Sequence, residues 1–151
     1  LFPYMGTSGI SPDGHRGMYT GGAIGLAVLR RDGFASLDAD GAPGTLTTRP
    51  VIFQGSHLFA NFSGELRVQL LDESGKVLAT SKSMSGDSTK QRVELPELAA
   101  SAGKPVRFRF HLTRGSLYSF WVTSDAAGAS NGYVGAGGPE FAGVRDVARQ
   151  P

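Results

Sequence analysis

The longest alternating stretch of the sequence runs from Pro105 to Val122. In its first half, apolar residues occupy every second position from Val106 to Leu112, and arginine or histidine occupies the positions between them. This alternation places the apolar side chains on one face of a β-strand and the charged side chains on the other. The second half alternates again from Leu117 onwards. The pattern therefore predicts two strands, each with one buried face.

Thr113-Arg114-Gly115 separates the two halves and has the composition of a hairpin turn. A two-residue turn would place apolar positions opposite charged ones along the whole ladder, which the pleat forbids. A three-residue turn with Gly115 in the left-handed position corrects the register and pairs Phe108 with Phe120. We therefore predict a hairpin over residues 105–122.

Similar short apolar runs recur along the rest of the chain. The clearest is Glu65–Leu71, where Leu66, Val68 and Leu70 share one face. The 22 glycines and 8 prolines among 151 residues leave no stretch that keeps a helical apolar period for three turns. About eight or nine short strands are expected. They predict an all-β fold, an antiparallel β-sandwich or jelly roll, with a closed barrel as the alternative.

Charge and composition exclude several classes of partner. The chain has 15 Lys and Arg against 13 Asp and Glu, a net charge of +2, which implies neither nucleic acid nor an anionic membrane surface as a partner. Cysteine is absent, so disulfides and thiolate metal sites are excluded. No apolar run approaches the ~20 residues of a membrane-spanning helix. The length suits one hydrophobic core.

The chain divides into three segments by composition. Residues 1–22 mix aromatic residues with glycine and proline, and we expect them to pack against a neighbour as a linker or the remnant of a preceding domain. Residues 23–138 form the predicted β-sandwich domain, and residues 139–151 form a polar, loose tail. Because the chain opens at Leu1 without Met, we expect it to be part of a longer protein.

Several phrases of the sequence resemble a known protein region. They are IGLAVLRRDGFASLDA (24–39), GTLTTRPVIF (44–53), HLFANFSGELRVQLLDESGKVL (57–78), SGDSTKQ (85–91) and GKPVRFRFHLTRGSLYSFWV (103–122). Together they resemble the C-terminal β-sandwich region of bacterial glycoside-hydrolase-like proteins. In those proteins the sandwich follows a five-bladed β-propeller of the fructosidase and arabinanase type. The match covers roughly residues 20–125.

The resemblance implies a non-catalytic accessory module of a glycoside hydrolase, with the hydrolytic centre in the propeller. No catalytic residue is carried over onto this chain. The module would support the propeller structurally and bind carbohydrate weakly, and residues 1–22 would be the end of the last propeller blade. The sequence leaves the compartment open, and the resemblance is compatible with a secreted or periplasmic bacterial protein.

A carbohydrate-binding site has a candidate on the outer face of the predicted hairpin. β-Sandwiches commonly bind sugars by stacking an exposed aromatic ring on a pyranose face, with planar polar side chains beside it. The predicted register places Trp121 beside Arg107, with Arg109 and His111 further along the strand. The alternative is that Arg107 only stacks on Trp121 beneath a neighbouring domain. Tyr133 and Tyr4 are further candidate rings with less context.

Metal binding has one candidate. Asp38-Ala39-Asp40-Gly41 begins like a calcium-binding loop, although no closing Glu follows it. We keep Asp38 and Asp40 as a candidate site for a structural calcium ion, with a simple turn favoured, and expect no other cofactor. The three histidines are too far apart in the sequence for a zinc motif.

Two alternatives to the accessory module stay open. The first is a small self-contained hydrolase, a glycosidase or esterase, which needs a carboxylate pair or a Ser-His pair in one pocket. Gly86-Asp87-Ser88 resembles the nucleophile block of one class of esterases, but the Asp-x-x-His element that accompanies this block is missing. The second is an assembly module, in which residues 1–22 pair with another chain and produce a homodimer.

Overall fold

The structure, a computed structural model, describes residues 2–6, 23–133 and 143–148. The described residues form two compact units. In the first unit, β1 (Phe2–Gly6) pairs antiparallel with β2 (Ala23–Ala27). The second unit contains residues 30–133 and 145–148. The predicted boundaries after residues 22 and 138, and most of the predicted segment 1–22, lie outside the described residues.

The second unit is built on one antiparallel sheet of six strands. The strands are β3 (Leu37–Ala39), β4 (Gly44–Thr47), β5 (His57–Asp72), β6 (Val77–Thr80), β7 (Met84–Val93) and β8 (Val106–Thr123). β5 and β8 are central neighbours. β3 and β4 pair with the other side of β8, and β6 and β7 pair with the other side of β5. A short 3-10 helix, Ala99–Ser101, lies between β7 and β8.

The predicted hairpin over residues 105–122 is wrong. β8 is one continuous strand of 18 residues, and its ladder partner is β5. Phe108 is opposite Leu70, and Phe120 is opposite Ala60. The expected pairing of Phe108 with Phe120 therefore does not occur in the ladder.

β8 nevertheless bends so strongly that its two ends face each other. Phe108 and Phe120 would lie about 40 Å apart along a straight strand. Their ring centroids are only 5.6 Å apart, and the rings of Phe110 and Phe120 are 4.8 Å apart. The sheet therefore folds over its own apolar face, and Phe108 and Phe120 meet across the core.

Two β-bulges in β8 accompany the bend. At the first, Arg114 and Gly115 together lie opposite Gly64, and Arg114 has a left-handed φ of 45°. At the second, Tyr118 is the extra residue of β8. Each bulge shifts the alternation of core-facing and outward side chains in β8 by one position. The core-facing positions are therefore even-numbered up to Leu112, odd-numbered at Leu117 and even-numbered again from Phe120. Arg114 and Gly115, which were predicted to lie in a hairpin turn, thus form a β-bulge. Hairpin turns and β-bulges both accept a residue with a left-handed φ.

The core comes mainly from one face of β5 and β8. Its members on these strands are Leu58, Ala60, Phe62, Leu66, Val68 and Leu70 on β5, and Val106, Phe108, Phe110, Leu112 and Leu117 on β8. The other members are Ala39, Ala79, Val93, Leu95 and Leu98. The alternation predicted for Glu65–Leu71 is confirmed up to Leu70.

The all-β, antiparallel prediction is confirmed. The finer prediction of a sandwich or jelly roll of short strands is not confirmed, because β5 and β8 are 16 and 18 residues long and belong to a single sheet. No pairing closes this sheet into a barrel within the described part of the chain. The residues that the structure describes contain no helix long and apolar enough to cross a membrane.

Candidate functional site

The face of the sheet opposite the core carries a polar network at the N-terminal end of β8. Arg107, Arg109 and His111 lie on this face, as the alternation predicts. Arg109 Nε donates a hydrogen bond to Thr47 Oγ1 at 3.2 Å. Arg107 Nη1 donates to the carbonyl oxygen of Thr48, also at 3.2 Å. The sheet therefore holds these long side chains in defined positions.

His111 is the titratable group at the centre of this network. Its Nε2 lies 3.0 Å from Gln69 Oε1, and its Nδ1 lies 3.4 Å from Thr45 Oγ1. Partial burial lowers the pKa of His111 below the ordinary 6.5, and the positive charges of Arg67 and Arg109 lower the pKa further. The imidazole is therefore neutral at pH 7.

The lowered pKa of His111 predicts a pH dependence of stability. When the pH falls below 6.5, the unfolded chain takes up a proton at His111 before the folded chain does. The contribution of neutral His111 to the unfolding free energy is thus complete above pH 6.5. It is lost as the pH falls through the lower pKa that His111 has in the folded chain. We expect the urea midpoint to fall between pH 8 and pH 5, and to fall less in His111→Gln. An equal reduction of this fall in His57→Gln would contradict the assignment to His111.

Trp121 does not lie beside Arg107, so the predicted neighbourhood of these two side chains is wrong, whereas carbohydrate binding by Trp121, Arg107, Arg109 and His111 stays a prediction. Because β8 does not turn at residues 113–115, Trp121 lies towards its other end, opposite Phe59 on β5. The Phe59 and Trp121 rings are stacked, with centroids 5.6 Å apart and planes 14° apart. Trp121 Nε1 donates a hydrogen bond to the carbonyl oxygen of Gly128 at 3.2 Å.

The loop that follows β8 is built against this stacked pair. The carboxylate of Asp125 accepts hydrogen bonds from the N–H groups of Ala129 at 2.7 Å and Ala127 at 3.2 Å, and these bonds lower the pKa of Asp125. Gly128 has a φ of +85°, and a β-carbon there would lie 2.8 Å from the Phe59 ring. The loop can therefore approach the aromatic pair only through a glycine.

An open cleft of about 280 Å³ lies at Trp121. Its lining consists of Arg31, Asp32, Ser119, Phe120, Trp121, Ser130, Gly132 and Tyr133, and we call it the Trp121 cleft. Ser119 Oγ is buried and has no hydrogen-bond partner among the described residues. A buried polar group without a partner costs about 1–3 kcal/mol.

Tyr133 and Arg31 are held in place beside the Trp121 cleft. The Tyr133 side chain is exposed, and the guanidinium group of Arg145 lies 4.7 Å from its ring centroid and donates to its hydroxyl at 3.0 Å. Arg31 Nη2 lies 3.2 Å from the Asp146 carboxylate, which also accepts a hydrogen bond from the N–H of Ser130. These contacts position the rim.

The predicted calcium site has no metal-binding geometry in support. Asp38 lies in β3, and its carboxylate accepts hydrogen bonds from the hydroxyls of Ser116 and Ser36, which lower its pKa. Asp40 is exposed. No group of three His, Cys, Asp or Glu residues that could hold a metal ion occurs in the described ranges. Calcium binding at Asp38 and Asp40 stays a prediction.

The described residues also show no nucleophile paired with a base. In β7, Asp87 forms an ion pair with Arg30 at 2.5 Å, and Ser88 Oγ accepts a hydrogen bond from the N–H of Lys90. None of the hydrogen bonds among the described residues joins a serine hydroxyl to a histidine. The Gly86-Asp87-Ser88 segment therefore has structural contacts in place of the arrangement that an esterase needs.

Sequence reasoning identified Trp121 and Tyr133 as candidate rings but missed the rest of the cleft. Arg31, Ser119 and Ser130 come from three distant parts of the chain. Trp121 and Ser119 alternate on β8, and this is the one local signal that links two members of the cleft.

Comparison with protein-family models, with curated proteins and with solved structures finds no match for this chain.

Proposed function

We propose that this chain is a non-catalytic accessory module of a glycoside-hydrolase-like protein and that it binds carbohydrate in the Trp121 cleft. The observation that carries this proposal is the cleft lined by the Trp121 and Tyr133 rings together with the partly exposed side chains of Arg31 and Asp32. A sugar ring offers a flat apolar face for an aromatic side chain and hydroxyls for polar groups around it. The cleft combines both kinds of group.

The small volume and the polarity of the cleft favour weak binding to a short stretch of a sugar chain. Ligand pockets usually have volumes of about 300–1,000 Å³, so a cleft of about 280 Å³ suits one or two sugar rings of a longer chain. The side chains of Arg31 and Asp32 are about half exposed, at 48% and 58%, and supply donors and acceptors for sugar hydroxyls. The cleft is open, so a polysaccharide can pass through it without entering a closed pocket.

The resemblance of residues 20–125 to sandwiches that follow a β-propeller supports the same proposal. It implies a parent among the glycoside hydrolases, with the propeller as partner and as the location of catalysis. A hydrolase within this chain is disfavoured by the absence of a paired nucleophile and base among the described residues. The assembly alternative predicts a homodimer, which light scattering measures directly.

We expect neutral glycans to bind the full chain, and Tyr133→Ala to weaken this binding about tenfold because a stacked ring contributes roughly 1–1.5 kcal/mol. Ser119→Ala should leave the unfolding free energy unchanged or raise it, because it removes a buried hydroxyl that has no partner among the described residues. Affinity electrophoresis against immobilised polysaccharides, preceded by a glycan array, measures the first effect, and urea unfolding measures the second.

A matched control separates binding from general surface effects. Ile52 is exposed at 68% and lies outside the cleft, so Ile52→Ala should leave glycan binding unchanged. Equal losses in Tyr133→Ala and Ile52→Ala would contradict the cleft. If the folded wild-type chain binds no glycan, the sugar-binding part of the proposal is wrong, and structural support of a propeller is favoured.

A further inference from the structure

We infer that the outer face of β4, β8 and β5 binds an acidic polysaccharide through Arg67, Arg107 and Arg109. We call this surface the arginine face. It includes the neighbouring polar residues Thr45, Thr47, Gln69 and His111. The inference goes beyond the proposed function, because it names a second surface and a charged class of ligand.

The register of the strands brings the three arginines together. Arg107 and Arg109 are two residues apart on one face of β8, about 6.6 Å apart along the strand. Arg67 on β5 is directly opposite His111, the next outward residue of β8. Neighbouring strands lie about 4.8 Å apart, so the three positive groups occupy one compact area.

No carboxylate forms an ion pair with these arginines among the described residues. Glu65, two residues before Arg67 on the same face of β5, accepts a hydrogen bond from Ser83 Oγ at 2.7 Å. The ion pairs of the described chain involve other arginines, Arg30, Arg31 and Arg92. The partners of the arginine face are neutral oxygens: the Thr47 hydroxyl for Arg109, and main-chain carbonyls for Arg107. The three positive charges therefore lie close together without an ion-pair partner among the described residues, and an anionic ligand would neutralise them.

The arginine side chains keep free donors for such a ligand. A guanidinium group has five N–H donors in a planar fork that matches a carboxylate or sulfate. Arg109 uses only Nε in a described hydrogen bond, and Arg107 uses Nε and Nη1. Arg67 has no hydrogen bond within the described residues and is exposed. The contacts to Thr47 and to the backbone hold two forks in place, which reduces the entropy lost on binding.

The remaining residues of the face favour a polysaccharide over a nucleic acid. Single-stranded nucleic acids are bound by stacking their bases on aromatic rings, and the arginine face contains no aromatic side chain. Threonine hydroxyls and the Gln69 amide can bond to sugar hydroxyls between the anionic groups. We therefore assign a linear polysaccharide with carboxylate or sulfate groups.

The test measures binding of the full chain to polygalacturonate, dextran sulfate, neutral dextran and a single-stranded DNA oligonucleotide. We expect both acidic polysaccharides to bind, and Arg67→Gln/Arg109→Gln to weaken this binding at least about tenfold and to lower the slope of log K against log salt by about two. Circular dichroism checks that the variant is folded. The relative affinity for the two polysaccharides shows whether carboxylate or sulfate is preferred.

The matched control is Lys90→Gln/Arg92→Gln, which removes the same charge from exposed positions on β7. It should change binding less than about twofold. Equal losses in the two double variants, tighter binding of the DNA, or no binding of either acidic polysaccharide would overturn the inference. Tyr133→Ala should leave polyanion binding intact, so failure of the Trp121 cleft and failure of the arginine face give different results.

Discussion

Gly115→Ala is expected to destabilise the folded chain by about 4 kcal/mol or to prevent folding. Gly115 lies in the first bulge of β8, where its backbone approaches β5 so closely that a β-carbon would overlap the carbonyl oxygen of Ser63. Backbone atoms of a paired strand cannot move aside as a flexible side chain can. The two strands would therefore have to separate at the point where the sheet bends.

Urea unfolding followed by circular dichroism measures this effect, and Gly41→Ala is its control. Gly41 is exposed, and a β-carbon there would have no atom within 4 Å. We expect Gly41→Ala to change the unfolding free energy by no more than about 0.5 kcal/mol. A Gly115→Ala chain as stable as the Gly41→Ala chain would contradict the close approach of β5 and β8.

Asn61→Ala is expected to lower the unfolding free energy by about 3 kcal/mol. The Asn61 side chain is fully buried and bonds at both ends of its amide. Its Oδ1 accepts from Arg30 Nε at 2.6 Å, and its Nδ2 donates to the carbonyl oxygen of Arg31 at 2.6 Å. Alanine would leave a charged donor and a carbonyl without these partners.

A double-mutant cycle with Arg30→Ala tests the physical reason for this loss. Arg30 also forms an ion pair with Asp87 at 2.5 Å, and its guanidinium group lies 4.5 Å from the Tyr118 ring centroid. Together with the bond to Asn61, these contacts connect Arg30 to β5, β7 and β8. We expect the double variant to lose less than the sum of the two single losses, because both remove the same contact. Strict additivity would show that Asn61 and Arg30 act independently. Gln54→Ala, an exposed amide, serves as the neutral control.

Asn61 and Arg30 also connect stability to the candidate site. The amide of Asn61 holds the Arg31 backbone, and the Arg31 side chain lines the Trp121 cleft. Loss of the Asn61 contacts should therefore disturb glycan binding as well as folding. In contrast, the arginine face lies on another part of the sheet and does not use this contact.

The buried face of a strand was predicted correctly where the pattern of that strand alone was enough to define it. In Glu65–Leu70 and Val106–Leu112, the two-residue period alone separates buried from outward side chains, and the structure has the same separation. Leu71 departs from this period, because it is fully buried although it lies opposite the outward Arg107. The outward position of Arg107, Arg109 and His111 was predicted for the same reason. The hairpin failed because the local composition of Arg114-Gly115 fits a tight turn and a bulge equally well.

Local periodicity therefore determined the strand class, the buried face and the outward arginines of this protein, since these depend on backbone geometry within a few residues. The tertiary structure decided the strand partners. β8 pairs with β5, some fifty residues away in sequence, and bends where Gly64 and Gly115 allow their backbones to meet. The Trp121 cleft depends on that bend and on contacts from Arg31 and Tyr133. Such contacts depend on how segments distant in the sequence pack together. A pattern confined to a few neighbouring residues does not specify them.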